Sequence, residues 1–490
     1  MPLNRAHSSR ALPPSTQDSK ASVPLRKSVF PGVTGFALGL TLISPVSAQQ
    51  PTRATPIADK YRASATRLLA AALGDSSAYN RLARLTDTFG SRLSGSASLE
   101  AAIDWILSEM KRDGLDNVRG EKAMVPHWVR GDESAVLVSP RPYKLHMLGL
   151  GRSVGTPPNG VTAEVLAVGS FDELAKRQSE AKGKIVLFDE PFVSYGETVR
   201  YRGAAASTAA RAGAVAALIR SVASNSMQNP HTGAMNYDST AARIPAAALS
   251  VEDAMMLHRM ADRGDKVVVT LRMSAQMLPD APSRNVVAEI VGSEKPDEVV
   301  VLGGHIDSWD VGEGAMDDGG GSVAAWEAVR LIKQLGLKPR RTIRVVLWTN
   351  EENGSRGGLA YRDAHAGELD KHVMAMESDN GVFKPLGYRI AGSDSAISIG
   401  RDIASLLSVI GATNVAAGGA EADVGPLLER GVPAVSLAVD GTRYFWYHHS
   451  DADTMDKLNP REIAECVALM AVMAYIVADM PGTMGRAPRP

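Results

Sequence analysis

Short apolar runs that end abruptly in polar residues are the feature that most restricts the fold of this 490-residue chain. Three of them, at 299–302, 344–348 and 373–376, are short, and the first two are too rich in β-branched residues for helices, so all three predict strands. Between the first two, residues 322–335 place apolar side chains on one helix face, and Gly336 follows as a C-cap. Strand, helix and strand in this order predict a parallel pair with a right-handed crossover. We therefore expect an α/β fold with a mostly parallel central sheet flanked by helices.

Polar residues that follow these runs, and a fourth run at 432–437, carry the candidate chemistry. They are His305, Asp307, Asp317, Glu351, Glu352, Asp379, His448 and His449. Parallel strands of an open sheet present such residues at their carboxyl ends, where ligands bind. Carboxylates crowded there would repel one another or take up protons if no cation were present. Two imidazoles and three carboxylates suit a pair of Zn²⁺ ions about 3.5–4 Å apart, bridged by one carboxylate and one hydroxide.

Each of these segments alone has an ordinary structural explanation. A single histidine after a strand is usually a satisfied loop residue, and Glu351-Glu352 alone would be a solvated loop. The Asp-Asp-Gly-Gly-Gly segment alone is a turn and helix start. The chemical interpretation depends on all of the segments occurring in order, each at the carboxyl end of a strand.

Five sequence motifs in this chain carry a resemblance to a known protein family. They are Gly-Gly-His-Ile-Asp-Ser-Trp-Asp-Val-Gly (303–312), Ala-Met-Asp-Asp-Gly-Gly-Gly (315–321), Trp-Thr-Asn-Glu-Glu (348–352), Met-Glu-Ser-Asp (376–379) and His-His-Ser-x-x-Asp-Thr (448–454). In this order they resemble the co-catalytic zinc aminopeptidases, and most closely the plasma glutamate carboxypeptidase (carboxypeptidase Q) branch. The resemblance extends over residues 61–480 and implies the zinc exopeptidase fold.

The resemblance also implies a role for individual residues. In it, one zinc is bound by His305 and Asp379, the other by Glu352 and His449, and Asp317 bridges the two. Glu351 is then the general base, which takes a proton from the bridging water and delivers it to the leaving amine.

Two neighbouring residues have supporting roles in this interpretation. Asp307 is expected to accept the other imidazole N–H of His305 and so fix its tautomer. His448 can hydrogen-bond the tetrahedral oxyanion. The choice of His449 rather than His448 as ligand rests on the family spacing to Asp453-Thr454.

The chain is longer than the roughly 300 residues at which single domains stop growing. We expect a signal peptide at 1–48, the N-terminal part of the catalytic domain at 52–158, an insert at 159–277 and the main catalytic domain at 278–485. The insert resembles a protease-associated domain and contributes no obvious chemistry. Two roles remain open for the insert. It is either a lid or size filter for substrates, or a plain packing or dimer surface.

The N-terminus predicts export, either to the periplasm or as a secreted protein. Arg26-Lys27 precede an apolar stretch at 33–43, and Val46-Ser47-Ala48 fits a cleavage site. No other apolar run is long enough to span a membrane, and the single cysteine, Cys466, rules out an intrachain disulfide. The 53 basic and 54 acidic residues give a net charge of −1, and this balance does not indicate a protein that binds nucleic acid.

The expected activity is that of an exported di-zinc exopeptidase on unblocked dipeptides or on N-terminal residues of short peptides. Alternatives are a single-zinc enzyme of the same fold, such as a glutaminyl cyclase, and a non-catalytic binding protein. Glu377 and Asp423 are candidates for holding the substrate ammonium, and each has an equally good structural role. The branch resemblance also suggests a homodimer.

Overall fold

The computed structural model describes residues 56–488, so the predicted signal peptide at 1–48 lies outside the described residues. The described chain forms twelve α-helices, of which the tenth and eleventh are single turns. They are α1 (Pro56–Gly74), α2 (Ser77–Phe89), α3 (Ala97–Arg112), α4 (Phe171–Lys176), α5 (Tyr195–Arg211), α6 (Val251–Asp262), α7 (Gly320–Gln334), α8 (Arg356–Ala364), α9 (Asp394–Ala404), α10 (Gly425–Leu428), α11 (Tyr444–Tyr447) and α12 (Pro460–Asp479).

Sixteen strands of the described chain divide equally between two sheets. They are β1 (Asp116–Val129), β2 (Glu133–Ser139), β3 (Tyr143–Leu145), β4 (Met147–Gly149), β5 (Val161–Val168), β6 (Ile185–Phe188), β7 (Ala216–Arg220), β8 (Ala246–Leu249), β9 (Val268–Met273), β10 (Gln276–Ile290), β11 (Lys295–His305), β12 (Arg341–Trp348), β13 (His372–Glu377), β14 (Pro385–Ala391), β15 (Asn414–Ala417) and β16 (Ala434–Val439).

The first sheet has the order β1-β10-β12-β11-β13-β16-β14-β15. Its centre is parallel, because β12, β11, β13 and β16 pair in the same direction. Antiparallel pairs join β10 to β12 on one side and β14 to β16 on the other. All four apolar runs of the sequence lie in the parallel centre, which confirms the predicted α/β class.

Helices bury the faces of this sheet. The crossover helix α7 joins β11 to β12, as the strand–helix–strand pattern predicts. Helix α12 packs against α1, α7 and the sheet, and nearly all of its side chains, including Cys466, are therefore buried. In the part of the chain that the structure describes, no helix combines the length and the apolarity needed to cross a membrane.

The second sheet has the order β3-β2-β9-β5-β6-β7-β8-β4, and β5 to β8 are parallel. Separate apolar clusters lie on its two faces, with α5 in one and α6 in the other. Strands β2, β3 and β4 precede residue 159 and pair within this sheet. The predicted domain limits at 158/159 and 277/278 stay predictions.

Helix α5 begins seven residues before the Ala-rich segment 202–212 that predicts a helix. The Ser194 side chain accepts a hydrogen bond from the backbone N–H of Glu197, which caps the first turn. This earlier start places Tyr195 and Arg202 on one helix.

The central parallel strands end level with one another. In the pairing register His305 lies opposite Trp348, and Gly303 lies opposite Glu377. Backbones are packed closely at this edge, since a Cβ on Gly304 would lie 2.2 Å from Asp318 Oδ2. The loops that follow β11, β12 and β13 therefore start from one edge of the sheet.

Candidate metal centre

Eight sequence-predicted residues lie on the loops and strand ends at this edge. His305 ends β11, and Asp307 follows it; Asp317 lies in the turn before α7; Glu351 and Glu352 follow β12; Asp379 follows β13; His448 and His449 follow α11. All are buried except Glu351 and Asp379, which are partly exposed.

Asp317 lies between two imidazole–carboxylate pairs. Its Oδ1 is 3.3 Å from His305 Nε2, and its Oδ2 is 3.3 Å from His449 Nε2. The same nitrogen of His305 is 3.3 Å from Asp379 Oδ1, and that of His449 is 2.9 Å from Glu352 Oε2. One carboxylate thus faces two sets of potential ligands, with one oxygen toward each.

Several atoms of this cluster have no hydrogen-bond partner among the described residues. They include the buried atoms Asp317 Oδ2, Glu352 Oε1 and His448 Nδ1. Burial raises the pKa of Glu352 well above its ordinary value, and repulsion from Asp317 adds to the rise. Buried polar atoms normally have partners, and imidazole nitrogens with carboxylate oxygens are the usual donor set for zinc. The residues present therefore fit a metal centre.

The turn that carries Asp317 is held by Asp453. Asp453 Oδ1 accepts hydrogen bonds from the backbone N–H groups of Ala315 and Met316 at 3.0 and 2.7 Å, and its Oδ2 accepts from that of Asp317 at 3.2 Å. In the sequence Asp453 serves only to align a motif. Its role depends on contacts across more than 130 residues, which no local pattern reports.

Arg92 ties together the loops on the same side. It is fully buried and donates to the carbonyl oxygens of Ile306, Glu313 and Gly314. Arg92 lies in the turn between α2 and α3. The structure makes it a link between that turn and the segment that joins His305 to Asp317.

The segment with the two histidines is held by the loop between β7 and β8 of the second sheet. His231 Nδ1 lies 2.6 Å from the carbonyl oxygen of His448, and the backbone N–H of Thr232 donates to that of His449 at 2.8 Å. His449 has a φ of 59°, in the left-handed region that non-glycine residues seldom adopt. His231 belongs to none of the sequence motifs above, and it is buried.

His448 stacks on His449, with ring centroids 3.5 Å apart. Its Nε2 is 3.6 Å from Asp317 Oδ2, a longer contact than that of His449. His449 alone of the two is also in contact with Glu352. The geometry therefore favours His449 as the ligand.

Asp307 contacts His305 mainly through its backbone. His305 Nδ1 is 3.0 Å from the Asp307 carbonyl oxygen and 3.7 Å from its carboxylate Oδ1. That Oδ1 accepts a hydrogen bond from the backbone N–H of Glu351 at 3.0 Å. The carboxylate of Asp307 thus holds the backbone of Glu351, and the nearer acceptor for the His305 imidazole is the Asp307 carbonyl oxygen rather than the carboxylate predicted from the sequence.

A cavity of about 250 Å³ opens beside the cluster. Its walls include Glu351 and Asp379 from loops of the first sheet, and Tyr195 and Arg202 from α5, which packs on the second sheet. No sequence signal indicates that α5 takes part, because its polar residues fit the exposed face of an amphipathic helix.

The two acidic residues predicted to meet a substrate ammonium each use one carboxylate oxygen to hold the backbone, and neither lines the cavity. Glu377 Oε2 accepts from the backbone N–H groups of Asp423 and Val424, and Asp423 Oδ1 accepts from that of Gly358. Glu421 lines the cavity instead. Burial raises the pKa of Glu421 to about 7. Its segment, 419–424, is singled out by the sequence, but the structure points to a different carboxylate within it.

Comparisons with known proteins show the family of this chain. Residues 285–474 match peptidase family M28, and residues 155–257 match the PA domain. Carboxypeptidase Q of Mus musculus is 49% identical over 408 residues, which cover 83% of this chain and 87% of that protein. Carboxypeptidase Q of Homo sapiens is also 49% identical, over 83% of this chain and 86% of its own length.

Solved structures of two bacterial proteins are similar over most of the chain. A peptidase M28 precursor from Shewanella amazonensis superposes with a TM-score of 0.84 at 36% identity, covering 88% of this chain and 99% of that chain. A zinc aminopeptidase from Bacillus subtilis shares the fold, with a TM-score of 0.63 at 19% identity, over 84% of this chain and 97% of that chain.

Proposed function

The chain belongs to peptidase family M28, and we propose that it is an exported di-zinc exopeptidase. Its substrates are unblocked dipeptides or the N-terminal residues of short peptides. The position of Asp317 carries the proposal, because its two oxygens lie 3.3 Å from two different imidazoles. That arrangement suits a carboxylate shared by two cations and has no other evident use in a buried site.

The proposed ligands divide into two sets. His305 and Asp379 hold one zinc, Glu352 and His449 hold the other, and Asp317 belongs to both. When bound, zinc supplies Lewis-acid activation of a water and of the substrate carbonyl. Support comes from the unpartnered buried oxygens of Asp317 and Glu352, which a cation would satisfy.

Glu351 is the proposed general base. It lines the cavity next to the ligand Glu352, and its backbone is fixed by the carboxylate of Asp307. Burial raises the pKa of Glu351 well above its ordinary value, with repulsion from Asp379 contributing. A carboxylate with a raised pKa can take a proton from water and return it to the leaving amine. The His448 imidazole, also in the cavity wall, is placed to donate to the developing oxyanion.

Glu421 is the proposed partner of the substrate ammonium. Five carboxylates line the cavity, and the other four are proposed ligands or the base. Asn380 Nδ2 donates to Glu421 Oε1 at 2.8 Å and holds it at the cavity wall. An N-acetylated substrate, which has no ammonium, would offer this partly exposed carboxylate no cationic partner.

The test compares a free dipeptide with its N-acetylated form, before and after chelation and after zinc is restored. We expect chelator-sensitive hydrolysis of the free dipeptide only. The Glu351→Gln variant should lose at least about 10²-fold in kcat while keeping its zinc, as expected for a general base. Glu429→Gln, an exposed glutamate, is the matched control.

Turnover that changes neither on chelation nor in the Glu351→Gln variant would refute the zinc-dependent mechanism with Glu351 as general base. Counting bound zinc separates two ions from the single ion of a glutaminyl cyclase-like alternative, and activity itself excludes a non-catalytic binding protein. The homodimer stays a prediction.

A further inference from the structure

The loop after β12 carries both the proposed base, Glu351, and the proposed ligand Glu352, and its backbone is strained. Asn350 and Ser355, near its two ends, have φ angles of 64° and 51°, in the left-handed region that residues with a side chain seldom adopt. Such conformations persist only where the surrounding structure holds them. The position of Glu352 therefore depends on contacts that other parts of the chain make with this loop.

Two of these contacts lie on the N-terminal side of Glu352. Ser94 Oγ accepts a hydrogen bond from Asn350 Nδ2 at 2.7 Å, and the carboxylate of Asp307 accepts one from the backbone N–H of Glu351 at 3.0 Å. A contact on the C-terminal side of Glu352 comes from the second sheet.

Arg152, in the loop after β4, makes that contact with Asn353, a buried residue. Its Nε donates to Asn353 Oδ1 at 2.8 Å, and its Nη2 donates to the Asn353 carbonyl oxygen at 2.6 Å. Its Nη1 donates to Asn236 Oδ1 at 2.8 Å. Among residues 56–488, no carboxylate pairs with this guanidinium. Its planar fork, which can fix two acceptors at once, is thus used to hold the loop rather than to pair a charge.

This arginine is anchored by the same part of the chain that holds the other ligand of the same proposed zinc. The backbone N–H of Gly151, the residue before it, donates to the Gly233 carbonyl oxygen at 3.0 Å, and the Gly151 carbonyl oxygen accepts from Met235 at 3.1 Å. The backbone N–H of the adjacent Thr232 donates to the His449 carbonyl oxygen at 2.8 Å. The joined loops after β4 and β7 thus reach the segments of both ligands of this zinc.

The ligands of the other proposed zinc are held by the first sheet and α7. Asp318 Oδ2 accepts from the backbone N–H of His305 at 3.0 Å, and Ser322 Oγ donates to the His305 carbonyl oxygen at 2.8 Å. Ser378, which precedes Asp379, donates its backbone N–H to a carbonyl oxygen of β11 at 3.1 Å. A change in the second sheet should therefore affect the two metal sites unequally.

We infer that Arg152 is a positioning residue for the zinc held by Glu352 and His449, so that the second sheet sets the affinity of one of the two metal sites. This inference rests on the proposed di-zinc function. Without the two hydrogen bonds to Asn353, the strained loop relaxes, and the Glu352 carboxylate moves away from the His449 imidazole, which lies 2.9 Å from it. Residues that orient metal ligands typically change metal affinity by about 10–100-fold.

The experiment titrates zinc into the metal-free protein against a competing chromophoric chelator, which resolves the affinities of the two ions. We expect Arg152→Gln to weaken one zinc by at least about 10-fold and to leave the other unchanged. Arg152→Lys, which can still donate to one oxygen of Asn353, should give an intermediate loss. Arg211→Gln, a change at an exposed arginine of α5 that pairs with Asp238, is the matched control and should match the unmodified protein.

Asn353→Ala tests whether Arg152 acts through the loop. This variant removes the side-chain oxygen that accepts from Nε and keeps the carbonyl oxygen that accepts from Nη2. Since both changes affect one contact, the Arg152→Gln, Asn353→Ala double variant should bind zinc no more weakly than Arg152→Gln alone. Additive losses would show that Arg152 affects zinc by another route and would overturn the inference.

A general structural role of Arg152 gives a different result. Equal weakening of both zinc ions, or of neither, in Arg152→Gln overturns the inference and leaves the exopeptidase function standing. If Arg152→Gln does not fold, Arg152→Lys and Asn353→Ala carry the same test, and each must weaken one zinc only.

The same titrations separate this inference from the proposed function. Two zinc ions with the expected unequal response, in a protein that hydrolyses no dipeptide, would refute the exopeptidase function alone. A single zinc bound by the unmodified protein would refute the di-zinc function and the inference together.

Discussion

Replacing Asp453 should weaken zinc binding without unfolding the protein. The side chain is 4% exposed and accepts three backbone N–H groups from the turn that presents Asp317. In Asp453→Asn, the remaining oxygen can still accept from Ala315 and Met316, while the new amide N–H₂ opposes the N–H of Asp317. Residues that orient a ligand in this way typically change metal affinity by about 10–100-fold, which corresponds to about 1.4–2.8 kcal/mol.

The effect on folding should be much smaller in the same variant. Burial raises the pKa of Asp453 to about 7 in the metal-free protein, and the charge of Asp317 adds to the rise. A carboxyl group that is half protonated near neutral pH resembles an amide, so we expect metal-free stability at pH 7 to change by no more than about 1 kcal/mol. Asp453→Ala removes all three acceptors and should cost about 3 kcal/mol or more, because three buried N–H groups lose their partners.

The assay pairs zinc titration against a competing chelator with urea unfolding in excess chelator. Asp451→Asn, an exposed change two residues away, is the control and should match the unmodified protein in both measurements. Unchanged zinc affinity in Asp453→Asn would refute the claim that this carboxylate positions Asp317. Unchanged stability in Asp453→Ala would show that the three hydrogen bonds contribute little.

Two further predictions concern folding and export. Burial lowers the pKa of His372 to about 4, so the unfolded chain binds more protons than the folded one between about pH 6.5 and 4, and the metal-free stability should fall on acidification through that window. In His372→Gln, the free energy of urea unfolding should depend less steeply on pH, by up to about 1.4 kcal/mol per pH unit. An unchanged pH dependence would contradict the role given to His372. Export of the full-length protein should yield a mature chain that begins at Gln49, and N-terminal sequencing that finds Met1 on exported protein would contradict the predicted cleavage.

The fold class and the types of metal-ligating residue could be predicted from local sequence patterns. The run Val299-Val300-Val301-Leu302 predicts a strand buried in a covered sheet, and His305, two glycines further on, is then expected at the carboxyl edge. The helix 322–335 between two such strands then fixes their parallel order. Two candidates for the substrate ammonium, Glu377 and Asp423, could not be separated from structural roles, because a carboxylate that accepts backbone N–H groups looks the same in sequence as one that faces a cavity.

The sequence by itself determined the central sheet, the edge at which the chemistry lies and the imidazole and carboxylate groups available there. These follow from hydrophobic periodicity and side-chain chemistry, which act over a few neighbouring residues. Only the tertiary structure decided that Asp317 turns one oxygen toward each imidazole, that Asp453 holds it there, and that Arg202 reaches the cavity from another domain. Most of the contacts behind those features join residues far apart in the chain, such as the 247 positions that separate Arg202 from His449, and long-range packing rather than local preference sets them.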